Sequence, residues 1–509
     1  MDSGPAWESG TDVSVLHRDD PQDTDCTGSK AAEQRVLLHM EPRPAQPQIQ
    51  KAAEKKQWLR QKAEEASQLS WGAFRSVQQH KQRKQGWQLP LLDPGDWEAQ
   101  LRKHFRGIFN KVPTAAVEEE MQQIRRGLEH LCKRTPWRPF TPGEVNAAVA
   151  RWAKNKSCGP DGISHEAMQA MLQHPQWEHI ILSELNDMLY KGAIHSSVGK
   201  GLTVLLPKIA EPTHWGGCRP ITLSSTMLKL LAQLLLGRGG AQLQQGGRLQ
   251  WSRTRRQGVE LLAILRRVVR MAKDWGVATW IVKLNIQKAF DSVSQVSVAQ
   301  LIARKVGGID EKDQGDNHPD HNMAQPWEAR LWTSLLQARS LHIATGDHVT
   351  FVEQTNGVRQ GSPDSPVVFA ALTAEALDKA VSQTAHMLGN ARGPPPPEQG
   401  GAYMDDTYLW SHDKKHLQAT LTALETQLAS HGLAINPKKT AIIYSEDAGG
   451  GTFNIGGAGV ACLPYGSTIT VLGSPLTFGE AIPNLVAEAE HLSDNTEIFC
   501  APAPTFGKD

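Results

Sequence analysis

Two adjacent aspartates constrain this chain more than any other feature. Asp405 and Asp406 stand within Ala402-Tyr403-Met404-Asp405-Asp406-Thr407-Tyr408-Leu409-Trp410. Short β-prone runs flank them, a pattern that predicts a hairpin with both carboxylates at its turn. Neighbouring acids held there repel one another and give up solvation, and a divalent metal ion is the usual reason to tolerate that. In isolation an Asp-Asp pair in a turn is more often a plain exposed turn. The segments around this one argue otherwise.

Ahead of the pair lies Gly357-Val358-Arg359-Gln360-Gly361-Ser362-Pro363-Asp364-Ser365-Pro366. It reads as a glycine-rich turn running into a helix, with Ser365 as N-cap and Pro366 at the first helical position. Val368, Phe369, Leu372, Ala376 and Val381 supply the buried face of that helix. Further ahead, Trp280-Ile281-Val282-Lys283-Leu284-Asn285-Ile286-Gln287-Lys288-Ala289-Phe290-Asp291 predicts a buried strand entering a turn. Behind the pair, Leu417, Leu421, Leu424 and Leu428 form a helical stripe closed by Gly432. A strand-turn-strand follows, through Ile435-Asn436-Pro437-Lys438-Lys439-Thr440 to Ile443.

Taken in order, these segments resemble the palm of LINE-type (non-LTR retrotransposon) reverse transcriptases. The segments upstream agree. Lys156-Ser157-Cys158-Gly159-Pro160-Asp161-Gly162-Ile163 resembles the family's opening motif. Leu205-Leu206-Pro207-Lys208 and Cys218-Arg219-Pro220-Ile221-Thr222-Leu223 resemble the next two, and Val471-Leu472-Gly473 is similar to the primer-grip strand turn. The resemblance covers roughly residues 140–480. Group II intron maturases and viral RNA polymerases share such a palm. The Lys288-Ala289-Phe290-Asp291 string and the Arg359-Gln360-Gly361-Ser362-Pro363 turn look more like LINE elements, and a viral RNA polymerase more typically has glycine at the place of Met404.

The resemblance implies an α+β right-hand polymerase fold with fingers and palm, the palm an antiparallel sheet backed by helices, and a thumb largely missing. It divides the chain into a disordered segment over 1–50, a helical basic extension over 51–139, fingers over 140–280, palm over 281–480, and a thumb stub or tail over 481–509. It implies RNA-directed DNA synthesis with two Mg2+ ions, an RNA template, a DNA primer and dNTPs. Asp405 and Asp406 would be the hairpin metal ligands, joined by the Ile286 carbonyl. Tyr403 and Met404 would line the primer end, with Leu472 and Gly473 in the primer grip. Phe290 would crowd the sugar 2′ position. Gln360 and Gly361 would meet the nucleotide and the template backbone. Lys208, Arg219 and Lys439 would neutralise the triphosphate. Residues 248–273, with eight Lys/Arg and one Glu at helical spacing, suit the template backbone, and Arg255 and Arg256 are its primer/template candidates.

One position departs from the family. Asn285 stands where the family carries the aspartate shared by both metals. An amide offers a neutral oxygen, so one negative charge is lost between two dications, and impaired catalysis is the expectation. Asp291 is expected to lie too far along, since six residues of strand span up to ~20 Å. The short stretch after the primer grip leaves little room for a thumb, and none is evident upstream for an endonuclease, so the chain reads as a truncated or remnant copy. The alternative function is a catalytically inactive fold that only binds RNA or an RNA–DNA hybrid.

Bulk properties set weaker bounds. A net charge of +1 argues against a uniformly basic nucleic-acid binder but leaves local patches open. Six scattered cysteines with no CxxC pair read as free thiols in a reducing compartment. No apolar run is long enough for a membrane span or a secretory leader, and no small-molecule cofactor motif is present. These point to an intracellular protein, in nucleus or cytoplasm. Residues 51–85 read as a charged helix, 87–142 as helical packing, and 307–325 and 392–401 as surface loops.

Overall fold

The computed structural model describes residues 86–209, 211–309, 324–336, 339–345, 348–388 and 399–479. The segments expected at 1–50, 51–85 and 481–509, and most of both surface loops, lie outside them.

Among the described residues, five helices of eight residues or more come first: α1 (Trp97–Phe109), α2 (Thr114–Cys132), α3 (Pro142–Val149), α4 (His165–Leu172) and α5 (Pro175–Lys191). Helix α1 buries Leu101, Phe105, Ile108 and Phe109, the i, i+4, i+7, i+8 stripe visible in sequence. Thr141 and Glu144 form a reciprocal capping box at the start of α3. Strands β1 (Gly201–Pro207) and β2 (Cys218–Ser224) follow, then α6 (Thr226–Leu243) and α7 (Gly258–Trp275). Next come β3 (Trp280–Asn285), α8 (Gln295–Lys305), α9 (Pro326–Ser334), β4 (Arg339–Thr345), β5 (His348–Gln354) and α10 (Ser365–Thr384). The chain continues with β6 (Gly400–Tyr403), β7 (Asp406–Ser411), α11 (Lys414–Ser430) and β8 (Ala441–Tyr444). Two hairpins come last among the described residues, β9 (Thr452–Ile455) with β10 (Ala458–Ala461) and β11 (Thr468–Val471) with β12 (Ser474–Thr477).

Two four-stranded sheets organise these elements. The first has the order β2-β1-β4-β5, with β1 and β4 parallel and the other pairs antiparallel. Helix α1 backs it, and Phe105, Ile108 and Phe109 share a core with Leu205, Cys218, Ile343 and Val352. Residues 97–109, which lie in the expected helical extension, are therefore part of the fold, and strands from both sides of residue 280 share this sheet. The second sheet is fully antiparallel, β6-β7-β3-β8, and helices α7, α10 and α11 pack against it, as expected of the palm. Tyr408, Leu409 and Trp410 in β7 are all buried, so this sheet is covered on both faces. Asn285 and Asp406, paired at one end of it, are partly exposed.

Three local expectations are corrected. Helix α10 starts at Ser365 with Asp364 as N-cap, one residue earlier than read. The Asp364 carboxylate makes no cap bond because the Trp332 indole donates to it at 2.8 Å and the Ser362 hydroxyl donates to it as well. Gly400 and Gly401 belong to β6 and not to the preceding loop. A Cβ on Gly401 would lie 2.5 Å from Leu261 Cδ1 and 3.0 Å from Trp251 Cζ3, so only glycine lets this strand approach α7. Third, the path from 285 to 291 is not extended: Lys288 takes φ +48° and the chain folds into a helical turn over Ala289–Ser292.

Candidate active site

The β6–β7 hairpin closes at the pair Tyr403↔Asp406, leaving Met404 and Asp405 as a two-residue turn. Met404 has φ +57° at the first turn position, a conformation two-residue hairpins usually give to glycine. For an L-residue it costs about 1–2 kcal/mol. Across the sheet, Asn285 is the register partner of Asp406. Paired residues in an antiparallel ladder have Cα atoms about 4.5–5.5 Å apart and side chains on one face. Asn285 and Asp406 are therefore neighbours, with Asp405 next along the turn. Lys283 shares that face two residues before Asn285 and donates to the Thr470 carbonyl at 2.6 Å. Burial lifts the Asp406 carboxyl above the ordinary carboxylate range; Lys283 opposes the shift and the Asp405 charge adds to it.

Beside this hairpin opens a cavity of about 650 Å³. Its walls are the 285–291 segment, the β1–β2 end with Lys208 and Arg219, the Arg359-Gln360-Gly361 turn with the start of α10, and Asn436 with Lys439. Five cationic side chains line it (Lys208, Arg219, Lys288, Arg359, Lys439) against two carboxylates, Asp291 and Asp405, so it suits a polyanion. His104 in α1 senses the same field. Its imidazole is pushed down to about 4, by burial first and then by the charges of Lys288, His214 and Lys208.

The floor is held by specific bonds. Gly361, at φ +107°, lies so close to β2 that a Cβ would sit 2.8 Å from the Thr222 carbonyl oxygen. Thr222 N–H donates to the Gln360 carbonyl at 2.9 Å. Gln360 Nε2 donates to Asp291 Oδ1 at 2.6 Å. Burial pushes the Asp291 carboxyl up to about 6, against that bond and the charges of Lys208, Lys288 and Arg219. Asn356 Nδ2 donates to the Asp291 carbonyl at 2.7 Å and to the Ile108 carbonyl at 2.6 Å, which ties α1 to the back of the cavity. The Phe290 ring packs against Phe369 with centroids 4.8 Å apart.

Of the residues singled out from sequence, Asn285, Ile286, Phe290, Lys208, Arg219, Gln360, Gly361, Lys439 and Asp405 all line this one cavity. Asp406 stands beside it. Tyr403 and Leu472 converge at another point, Gly258, where a Cβ would be 2.8 Å from Leu472 Cδ1 and 3.3 Å from Tyr403 Cε2. Leu472 and Gly473 both have positive φ, +49° and +83°, in the turn between β11 and β12. Arg255 and Arg256 lie away from the cavity lining; the Arg256 guanidinium sits 4.9 Å over the Trp251 ring. Sequence reasoning gave no role to Lys288 or Asn436, and it set Asp291 aside. Asn436 N–H donates to the Asn285 carbonyl at 2.8 Å, and its side chain caps the turn carrying Lys439. An Asn-Pro turn signal was present, but nothing in sequence says where that turn docks.

Among the described residues no group of three or more His, Cys, Asp or Glu side chains is placed to hold a metal ion. The oxygens of Asp405, Asp406, Asn285 and the Ile286 carbonyl are nevertheless hard donors of the kind Mg2+ takes. The partly desolvated, mutually repelling Asp pair fits a cation, with one carboxylate fewer than a shared two-ion site would use. No helix of the described residues is long and apolar enough to cross a membrane.

The chain belongs to the reverse transcriptase (RNA-dependent DNA polymerase) family, whose model matches residues 207–476, just over half of it. Its relatives place it with the non-LTR retrotransposons. It is 25% identical over 308 residues to the Retrovirus-related Pol polyprotein from type-1 retrotransposable element R2 of Nasonia vitripennis, covering 60% of this chain and 27% of that protein. It is 23% identical over 338 residues to the polyprotein of the type-2 element R2DM of Drosophila melanogaster, covering 66% of this chain and 29% of that one. It thus spans less than a third of either. A solved telomerase from Candida albicans shares 13% identity at a TM-score of 0.36, with 64% of this chain and 55% of that chain covered.

Proposed function

We propose that this domain is the polymerase core of a non-LTR retroelement, built to extend a DNA primer with dNTPs along an RNA template, and that Asn285 attenuates its chemistry. The observation that carries this reading is the register of Asn285 opposite Asp406, with Asp405 at the rim of a basic cavity. Divalent ions held by Asp405, Asp406 and the Ile286 carbonyl would neutralise charge on the attacking and leaving oxygens. The remaining work falls to the chain itself. Lys208, Arg219 and Lys439 bind the triphosphate as charge-assisted donors. Gln360, anchored by Asp291, and Gly361, pressed on β2, set the nucleotide against the template. Phe290, braced by Phe369, excludes a 2′-hydroxyl. Tyr403, Met404, Leu472 and Gly473 hold the primer end, and the basic face of α7 follows the template strand.

Losing one shared carboxylate at such a site costs about 3–5 kcal/mol of transition-state stabilisation, a rate loss of roughly a hundred- to several-thousand-fold. The test is Mg2+-dependent primer extension on an RNA template, comparing the chain with its Asn285→Asp variant. Extension that appears or rises at least a hundredfold in the variant supports the reading. Equal extension by both rejects attenuation at Asn285. A second reading is a catalytically silent domain that binds RNA or an RNA–DNA hybrid. The cavity's excess of cations favours it, because phosphate binding does not need the missing carboxylate. Hybrid binding with no extension by either protein would establish it.

A further inference from the structure

Met404 is one of five non-glycine residues with positive φ among the described residues, and it stands at the tip that carries Asp405 and Asp406. Nothing within the turn explains why methionine stays there. The explanation comes from a residue far away in sequence. Met404 N–H donates to Gln250 Oε1 at 3.1 Å, and Gln250 Nε2 donates to the Met404 carbonyl at 3.4 Å. One side-chain amide thus takes both backbone polar groups of the strained residue.

Gln250 is itself fixed. The residue is 3% exposed, and its Oε1 also accepts from Ser252 N at 3.2 Å and Ser252 Oγ at 2.9 Å. Its backbone forms a parallel bridge to Ala402 in β6. Ala402 N–H donates to the Leu249 carbonyl at 2.7 Å, and Trp251 N–H donates to the Ala402 carbonyl at 2.8 Å. The residues around Gln250 therefore grip β6 from its open edge, while the amide reaches the turn. Only an amide carries the donor and the acceptor this needs. A glutamate offers two acceptors and brings a further negative charge towards the Asp pair; a leucine offers neither.

We propose that Gln250 is a positioning residue for the Asp405–Asp406 hairpin, holding Met404 in its left-handed conformation so that Asp405 faces the cavity. The inference rests on reading that hairpin as the catalytic one. Without the amide, the turn relaxes towards an ordinary backbone conformation and Asp405 leaves its place at the rim. A glycine at 404 has no such preference, so it removes the need for the clamp.

The decisive experiment is a double-mutant cycle of Gln250→Leu with Met404→Gly. In urea unfolding of the otherwise unaltered chain, Gln250→Leu should cost about five- to thirtyfold less in the unfolding equilibrium constant when Met404→Gly is present. In the Asn285→Asp background, Gln250→Leu should lower kcat for primer extension at least tenfold, with the dNTP KM within threefold. The same change should cost less than threefold once Met404→Gly is present. A purely structural glutamine would lose equally in both backgrounds, and equal losses overturn the proposal. If Asn285→Asp extends no primer, the functional reading fails, and the unfolding cycle still decides the clamp. If leucine prevents folding, Gln250→Glu, which keeps the acceptor and loses the donor, should show the same dependence on Met404→Gly; loss independent of it overturns the proposal.

Discussion

Replacing Asn285 by aspartate should make the stability of this protein depend on divalent metal. Asn285 and Asp406 are register partners at the half-exposed end of the palm sheet, and Asp405 is the next residue. A carboxylate at 285 would stand ~5 Å from the one at 406, where two like charges repel by about 3 kcal/mol at an effective dielectric constant of about 20. Partial solvent access screens part of that, leaving about 1–3 kcal/mol of destabilisation in metal-free buffer. A bound dication reverses the sign. At a concentration 100-fold above its dissociation constant it contributes about 2.7 kcal/mol, so Mg2+ should offset the loss in the variant and act more weakly on the parent. Urea unfolding of both proteins in chelator and in millimolar Mg2+ measures this directly. Identical midpoints in chelator, with no larger Mg2+ response in the variant, would refute the placement of residue 285 beside the Asp pair.

Other outcomes follow from single features. Burial pushes the Asp291 carboxyl up to about 6 from the ordinary 3.8, so the native state holds an extra proton between those values. Its contribution is fully present below about 3.8 and is lost as pH rises through about 6; Asp291→Asn should flatten the fall in stability over that window, measured by urea unfolding at a series of pH values. Arg238 bridges Glu144 and the buried Glu328, both at 2.7 Å, and also donates to the Arg138 and Pro139 carbonyls. Arg238→Ala strands the Glu328 carboxylate and should cost about 3–5 kcal/mol, more than Glu328→Gln, by chemical denaturation. Gly401→Ala pushes a methyl group into Leu261 and Trp251 and should cost about 1–3 kcal/mol in the same assay. Phe290→Ala in the Asn285→Asp background should raise rNTP relative to dNTP incorporation roughly tenfold or more, read from competitive extension; unchanged selectivity would remove Phe290 from sugar discrimination.

Much of the architecture was legible because it is local. The Asp pair between β-prone runs does close a hairpin, and the leucine stripe from 417 to 428 is the buried face of α11. Spacing alone placed Leu101, Phe105, Ile108 and Phe109 on one face of a helix. What failed depended on contacts and conformations that residue type does not announce. Asp364, not Ser365, is the N-cap of α10, and its carboxylate is taken by Trp332, distant in sequence, and by Ser362. The strand assumed beyond Asn285 bent because Lys288 adopts a left-handed conformation that its residue type does not announce.

Periodicity and turn chemistry thus determined which segments are strands, which are helices, and that two carboxylates share a hairpin tip; the family resemblance alone marked Asn285 as a departure. Only the tertiary structure decided the pairings. It set Asn285 opposite Asp406, brought 339–345 beside β1 in parallel, packed α1 behind the cavity, placed Asp291 under Gln360, and laid Gln250 against Met404. Each of these joins residues far apart in the chain. Their register follows from which apolar faces and buried polar groups can be satisfied together, and no local window of sequence contains that information.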